Sequence, residues 1–353
     1  MRRLFLALAG LAATGVLLSF AACVGDDFAG GSGVPDAGGS NPDATGMPGD
    51  AAGGDALSDA SGGPDADADA ALRRCDPSVP FSVVAAVSEL NAGAVGAIDK
   101  EARLTLDELT IYWTSNRAGA KLAIHTASRA AKTSPFGNIS AVPLTLGGAT
   151  DHATGPAVGA DPNVLFFLDF SGVANSYAIA FETYAAPNWG SKTFEPAGAL
   201  SLPYHVGIPY LTTDGLSLLF DGEASGDGGS HNVLFQSDRG ATNGEFTDVS
   251  RTEIAELTTD NDNWQPALSA DKLVIYFATD RGTVGVTGDR EIWHATRKST
   301  ADKFGAPVKD DSVNEAGTSC SPTWISPDLC TLYFSTNSSN EEHLVKGVRQ
   351  PPP

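Results

Sequence analysis

Four polar residues at comparable places in the chain have side chains that could act together. His152, His205 and Asp262 each stand four residues before a proline, and Asp99 is the rough counterpart nearer the start. Imidazole and carboxylate groups that converge on one axis can hold a transition metal or a polar ligand. The alternative is that they are polar loop residues bonded to backbone or water. Their spacing follows the segments that carry them and not a metal motif, so we treat them as candidate ligand contacts and expect no metal and no cofactor.

These positions depend on a phrase that occurs five times. Each copy has a short segment, a turn aspartate and then five or six apolar, β-branched or aromatic residues, as in LVIYF after Asp271. The turn aspartates are Asp107, Asp161, Asp214, Asp271 and Asp328, which are 54, 53, 57 and 57 residues apart. Aspartate beside Gly, Pro or Lys suits a tight turn, and the apolar run is typical of a buried strand. A regular period of this size predicts a repeat architecture.

Two more strand-like segments follow each phrase in most copies, for example KLAIHTASR from Lys121 and DKFGAPVKDDSV from Asp302. Each unit therefore predicts a four-stranded antiparallel blade, and five units predict an all-β, five-bladed β-propeller. The fifth unit ends at Arg349 without a fourth strand. Residues 80–92 resemble the fourth-strand segment at 304–316. We predict that this N-terminal strand completes the last blade, because an unclosed ring would leave two open edges.

The fourth copy, PALSADKLVIYFATDRG at residues 266–282, resembles the WD-like repeat of TolB-type β-propeller proteins. The resemblance extends roughly from Cys75 to Arg349, although the second and third copies lack the arginine of the phrase. It implies a binding or scaffold module of the bacterial envelope. It implies no shared set of catalytic residues.

Residues 1–23 have the pattern of a lipoprotein signal peptide. Arg2 and Arg3 precede an apolar run that is too short for a transmembrane helix, and small residues precede Cys23. The segment FAAC resembles a lipoprotein box, which implies lipidation of Cys23, and Val24 after it implies the outer membrane. The alternative is an ordinary signal peptide that is cut near Ala22. We predict a lipoprotein secreted across the inner membrane and anchored in the outer membrane, on its periplasmic or cell-surface face.

Residues 24–74 read as a disordered linker rich in Asp, Gly and Ala. The segment contains ten aspartates, no Glu and no Lys, so it cannot bury enough apolar surface to fold. Its ten aspartates and two arginines contribute −8 to the formal net charge of −21. That acidity favours solubility and argues against a nucleic-acid partner. The predicted propeller domain covers residues 75–353.

Three cysteines remain after Cys23, so one disulfide and one free thiol is the simplest arrangement in an oxidising compartment. Cys330 begins the second strand of the fifth blade, and Cys75 precedes the strand that should complete the same blade. The ring closure therefore predicts a Cys75–Cys330 disulfide. A Cys320–Cys330 pair and the absence of any bridge are the alternatives.

No nucleophile elbow, phosphate loop or zinc helix is present in the sequence. A glycosidase needs two carboxylates beside the scissile bond, but Asp99, Asp161 and Glu223 lie in no phrase that resembles those enzymes. Trp264, in a predicted loop, could stack on a ligand. We predict a protein that is not an enzyme, namely a non-catalytic scaffold for envelope protein partners. The alternative is a carbohydrate or small-ligand binder, or a relict glycoside hydrolase, that uses the mouth of the central channel.

Overall fold

A computed structural model describes the chain from Arg74 to Pro351, with short gaps. The gaps are residues 120, 147, 149–150, 172–175, 186–187, 191–192, 195–205, 224–230, 248–250, 283–288 and 339–340. The predicted signal peptide, Cys23 and nearly all of the predicted linker lie outside the described residues. Within the described part, no helix has the length and apolarity that crossing a membrane requires.

The described residues form one strand ahead of the repeats, β1 (Val83–Ala86), and five blades. Blade one is β2 (Asp99–Leu104), β3 (Thr110–Ser115), β4 (Ala123–Ser128) and β5 (Gly137–Ala141). Blade two is β6 (His152–Val158), β7 (Val164–Ser171), β8 (Ser176–Ala185), β9 (Asn188–Trp189) and β10 (Thr193–Phe194). Blade three is β11 (Tyr210–Leu211), β12 (Ser217–Glu223), β13 (Asn232–Asp238) and β14 (Arg251–Glu253). Blade four is β15 (Asn263–Leu268), β16 (Val274–Thr279), β17 (Glu291–Thr296) and β18 (Val308–Lys309). Blade five is β19 (Ser319–Ile325), β20 (Thr331–Ser338), β21 (Glu341–Val348) and the borrowed β1.

Each blade is an antiparallel meander whose first strand faces the centre of the molecule. The first strands contact one another in ring order, from β2 to β6, β11, β15, β19 and back to β2. A ring of five such contacts closes around one axis. The prediction of an all-β, five-bladed propeller with four-stranded blades is therefore confirmed.

The turn aspartates perform the function that the sequence predicted. Each accepts a hydrogen bond from the backbone N–H two residues later; in blade one, Asp107 Oδ1 lies 2.9 Å from Leu109 N. The other four distances, for Asp161, Asp214, Asp271 and Asp328, are 2.9, 3.0, 3.1 and 2.9 Å. An Asx turn of this kind fixes the hairpin that joins the first and second strands of every blade.

An aromatic residue six positions after each turn aspartate packs between neighbouring blades. These residues are at most 1 % exposed, and they are Trp113, Phe167, Phe220, Phe277 and Phe334. Every residue of β16 is buried, which explains why the second strands read as continuous apolar runs. Truncating one such aromatic to alanine costs about 3–5 kcal/mol of stability.

The ring closes through β1, which pairs antiparallel with β21 and places Val83 opposite Val348. The strand is shorter than the predicted segment 80–92, but pairing continues beyond it. Asn91 Nδ2 donates to Leu344 O at 3.0 Å, and Leu344 N donates to Asn91 Oδ1 at 2.8 Å. The amide side chain thus substitutes for a backbone partner after the strand has ended.

Cys75 and Cys330 form a disulfide, with Cα atoms 5.1 Å apart, and Cys320 is a buried free thiol. The bridge ties the start of the domain to blade five, as the closure predicted. Beside it, the buried Arg349 guanidinium donates to Tyr276 Oη at 2.7 Å and to Asp310 Oδ2 at 3.0 Å. Its face lies 3.7 Å from the centre of the Phe81 ring. The two ends of the domain are therefore joined covalently and by a buried cation.

Candidate functional site

The first strands of blades one and four are interrupted by β-bulges that face the channel. The register of β2 against β3 shifts between Lys100 and Arg103, and that of β15 against β16 shifts between Trp264 and Ala267. Inside these bulges, Glu101 has φ 59° and Gln265 has φ 47°. A left-handed backbone at a residue other than glycine is strained by about 1–3 kcal/mol. Bulges re-aim side chains beside functional sites, and here they bring Glu101 and Gln265 to the channel.

Two adjoining cavities at this end of the channel share Lys100, Gln265 and Arg290 as lining residues. We call them together the channel mouth. The carboxylate lobe, of about 270 Å³, is lined additionally by Glu101, Asp221, Glu223 and Trp264. The serine lobe, of about 260 Å³, is lined additionally by Ser319, Ser321, Ser335 and Glu342.

Arg103 blocks the channel below the mouth. This arginine is 2 % exposed and donates to Thr323 O of blade five and, at 3.4 Å, to Pro209 O next to blade three. Its guanidinium also lies 4.9 Å from the centre of the Tyr210 ring. Burial lowers the pKa of Arg103 to about 10. Blade three is not a neighbour of blade one, so an arginine of blade one that bonds beside blade three reaches across the central channel and forms a floor below the channel mouth.

Asp221 is a buried carboxyl group of the carboxylate lobe. It directly follows the apolar residues of β12 and is 6 % exposed, and desolvation by burial raises its pKa to about 6. Gln265 N at 3.1 Å and Ile208 N at 3.2 Å both donate to its Oδ1. A Cβ on Gly207 would stand 1.9 Å from Asp221 Oδ2, so only glycine fits beside this carboxyl. The site therefore holds a carboxyl group that is protonated in mildly acidic solution.

Glu101, a second carboxylate of the carboxylate lobe, is held by donors from two blades. Thr114 Oγ1 donates to Glu101 Oε2 at 2.7 Å, and Gly155 N donates to the same oxygen at 2.8 Å. Lys100 Nζ lies 3.6 Å from Glu101 Oε1. Glu101 is 2 % exposed, so its rotamer and position are set by these contacts.

Trp264 and Gln265 add an aromatic ring and a hydrogen-bond acceptor to the lining of the channel mouth. The Arg290 guanidinium lies 4.1 Å from the centre of the half-buried Trp264 ring. Gln265 is 9 % exposed, and among the described residues its buried Oε1 has no hydrogen-bond partner. A buried acceptor without a partner is costly unless a ligand or water supplies a donor.

Of the four residues proposed from the sequence, the structure describes Asp99, His152 and Asp262, and none of these three lines the channel mouth. Asp99 is fully buried and accepts hydrogen bonds from Trp113 Nε1 at 3.0 Å and Arg117 Nη2 at 2.7 Å. In blade four, Asn263 accepts in the same way from Arg281 Nη2 at 2.7 Å. Asp99 therefore anchors the arginine of the repeat phrase.

His152 and Asp262 instead join neighbouring blades. His152 Nδ1 accepts from Leu122 N at 3.0 Å, and Asp262 Oδ1 accepts from Asn232 N at 2.5 Å. His205 lies outside the described residues. Three of the four candidates thus serve structural hydrogen bonds, which is the alternative considered for them above.

Counting back from the prolines selected positions two or three residues too early. Regular alternation does not hold through a β-bulge, and a bulge leaves little trace in the sequence. Two features of the sequence could have located the residues of the channel mouth. Glu101 and Gln265 both stand six residues before the turn aspartate, and Asp221 is an acid directly after the apolar run of its copy. Among the described residues, no group of three or more His, Cys, Asp or Glu side chains is arranged to hold a metal ion.

No family model matches the chain, and no curated protein matches it. The TolB-type resemblance therefore stays a prediction. Among solved structures, the chain is similar to the α-L-arabinofuranosidase from Podospora anserina, with 11% identity, 72% of this chain and 91% of that chain covered, and a TM-score of 0.45. It is also similar to a putative glycoside hydrolase from Bacteroides ovatus, with 8% identity, 78% and 95% coverage, and a TM-score of 0.44. The sialidase from Trypanosoma rangeli has 10% identity, 71% and 54% coverage, and a TM-score of 0.41.

These neighbours contradict the prediction that the protein is not an enzyme, since they are named as glycoside-cleaving proteins. At such identities the likeness itself shows the fold alone. The prediction had rested on finding no carboxylate pair in the sequence. The structure brings Glu101 of blade one into one cavity with Asp221 and Glu223 of blade three, although the two blades share no sequence phrase that pairs these acids.

Proposed function

We propose that the channel mouth binds a carbohydrate and hydrolyses a glycosidic bond. The observation that carries this proposal is the pair of buried carboxyl groups in one cavity, Asp221 with a pKa of about 6 and Glu101 with its fixed hydrogen bonds. Glycoside hydrolysis requires two carboxyl groups whose environments differ, one of which keeps its proton.

The chemistry follows from the two environments. Both backbone donors bind Asp221 Oδ1, and none of the described hydrogen bonds reaches Oδ2, so Oδ2 can carry the proton. Asp221 donates that proton to the glycosidic oxygen while the bond to the anomeric carbon breaks. Glu101 either takes a proton from the attacking water or adds to the anomeric carbon itself. NMR of the released sugar distinguishes the two routes, because the first inverts the anomeric configuration and the second retains it.

Trp264 and Gln265 favour a sugar over other small ligands. Arg290 lies against one face of the half-buried indole, and the exposed part of the ring gives the cavity apolar surface for the C–H face of a sugar. The unpartnered Gln265 Oε1 accepts from a hydroxyl group. A rigid cavity that combines an aromatic face with polar groups is the usual form of a ligand site.

A panel of nitrophenyl glycosides and oligosaccharides tests the proposal with the whole protein. Asp221→Asn and Glu101→Gln should each lower kcat at least about 10³-fold, since each removes one half of the acid–base pair, while binding of the same sugar persists. Asp260→Asn, an exposed acid outside the mouth, is the matched control. Binding without turnover by the wild-type protein would remove the hydrolytic part of the proposal. Absence of both binding and turnover across the panel would remove all of it.

We further propose that the protein is an envelope lipoprotein with its anchor at Cys23. The Cys75–Cys330 disulfide supports an oxidising compartment but does not identify the membrane. Labelling of cells with a radioactive fatty acid should mark the wild-type chain and leave Cys23→Ser unmarked. The predicted protein partners in the envelope would bind elsewhere than at the sugar site. A pull-down with the Asp221→Asn variant should therefore recover the same envelope proteins as a pull-down with the wild type.

A further inference from the structure

The two lobes of the channel mouth differ in charge. The carboxylate lobe is lined by three acids, Glu101, Asp221 and Glu223, and by the shared Lys100 and Arg290. The serine lobe has the same two cations but only one acid, Glu342. The two lobes are therefore suited to different parts of a ligand.

The two shared cations differ in how closely acids pair with them among the described residues. Lys100 Nζ lies 3.2 Å from Glu342 Oε2 and 3.6 Å from Glu101 Oε1, so two acids compensate its charge. No ion pair or hydrogen bond of the Arg290 guanidinium is found within the described part of the chain, where its contact is the face of Trp264. Arg290 interacts electrostatically with Asp221 of the carboxylate lobe, and among the described residues it has no ion pair with Glu342, the one acid that lines the serine lobe.

The position of Arg290 is fixed by its backbone. Arg290 N donates to Ser319 Oγ at 2.9 Å, and Arg290 O accepts from Cys320 N at 2.7 Å. Contact with the Trp264 ring, 4.1 Å from the guanidinium carbon to the ring centre, restrains the end of the side chain. A planar guanidinium held in place matches a carboxylate with two parallel hydrogen bonds, which a lysine cannot do.

The remaining polar groups of the serine lobe suit a sugar ring. Ser321 and Thr336 supply hydroxyl groups, Asn337 supplies an amide, and Gln265 Oε1 is an acceptor without a partner among the described residues. A ring with several hydroxyl groups satisfies such a lining, and an apolar ligand does not.

We propose that the serine lobe is a subsite for an acidic sugar residue, of the uronic acid class, whose carboxylate binds Arg290. The inference rests on the proposed carbohydrate function and specifies its substrate. The acidic residue neighbours the sugar in the carboxylate lobe, so the ligand is at least a disaccharide. The cleaved bond lies where Asp221 and Glu101 line the carboxylate lobe.

Matched disaccharides that differ only in the acidic group test this subsite. The pairs are cellobiose against cellobiouronic acid and galactobiose against digalacturonic acid, measured by calorimetry with the whole protein. At least one acidic member should bind ten times or more tightly than its neutral counterpart. Arg290→Gln should reduce that ratio to below two, whereas Lys298→Gln, which removes an exposed cation elsewhere, should leave it unchanged.

A second variant guards against loss of the fold. Ser321→Leu fills the serine lobe, so it should weaken binding of the acidic disaccharide at least tenfold while its circular dichroism spectrum stays that of the wild type. Equal binding within every pair overturns the acidic subsite and leaves the carbohydrate function standing. Failure of every sugar to bind overturns both. Inorganic sulfate that binds as tightly as the acidic disaccharide would show a general anion site and also overturn the subsite.

Discussion

Gln265 N donates a hydrogen bond to Asp221 Oδ1 across 3.1 Å, and this bond joins blade four to blade three at the channel mouth. The donor belongs to a residue with φ 47°, so a strained bulge places a backbone N–H against a buried acid. The same residue presents its unpartnered side-chain oxygen to the cavity. One position therefore both supports the acid and contacts the ligand.

Gln265→Gly separates these two functions. Glycine adopts a positive φ without strain and keeps the N–H, so the free energy of unfolding should stay within about 1 kcal/mol of the wild-type value. Affinity for the bound sugar should fall about tenfold, because the side-chain acceptor is lost. Urea unfolding and calorimetry measure the two effects. A large loss of stability would show that the side chain supports the fold.

Asp221→Asn should change stability in a pH-dependent way. The folded-state pKa of about 6 is raised above the ordinary 3.8, so the penalty for burying the charge is absent below pH 3.8 and complete above pH 6. The difference between the two pKa values corresponds to about 3 kcal/mol in the free energy of unfolding. Asparagine still accepts the two backbone bonds, and the neighbouring charged groups Arg290, Lys100, Glu101 and Glu223 are unchanged.

We therefore expect Asp221→Asn to be up to about 3 kcal/mol more stable than the wild type at pH 7.5 and nearly equal to it at pH 4. Urea unfolding of both proteins across that range measures this. The rate of glycoside cleavage by the wild type should fall as the pH rises through about 6, because Asp221 loses the proton that it donates. Equal stabilities at both pH values would contradict the assigned environment.

The Cys75–Cys330 disulfide should contribute measurably to stability. Its cysteines are 255 residues apart, and cross-linking so long a loop restricts the unfolded chain strongly. Changing both cysteines to alanine should lower the free energy of unfolding by about 2–5 kcal/mol. Cys320→Ala, which removes the buried free thiol, is the control and should leave the bridge intact in peptide mapping. A double variant as stable as the wild type would show that noncovalent contacts alone hold the closure.

Arg349→Met should destabilise the domain by about 3–5 kcal/mol, because it leaves Asp310 buried without its cation. Lys346→Met, on the same strand β21, is the control and should change the unfolding free energy by less than about 1 kcal/mol. A double-mutant cycle with Asp310→Asn isolates the pair. Additive effects in that cycle would mean that the two side chains are not coupled.

The ring was predictable because its causes are periodic in the sequence. The turn aspartates and the buried aromatic six residues after each of them recur in every copy, and a fifth blade with one strand missing indicated the borrowed strand. The site was not predictable in the same way. Glu101 and Asp221 lie on different strands of different blades, and a backbone bulge determines where Glu101 and Gln265 point. The residues that line the channel mouth differ from copy to copy, whereas the repeat pattern consists of the residues that the copies share.

The pairing of β1 with β21 has a consequence for how the protein is made. Residues 83–86 leave the ribosome early but have no sheet partner until residues 341–348 have also been synthesised. During that interval the edge strands of the incomplete propeller can pair with strands of neighbouring chains. Biogenesis therefore favours rapid synthesis or a chaperone that shields the waiting strand, and a chain that stalls before its last strand is exposed to aggregation.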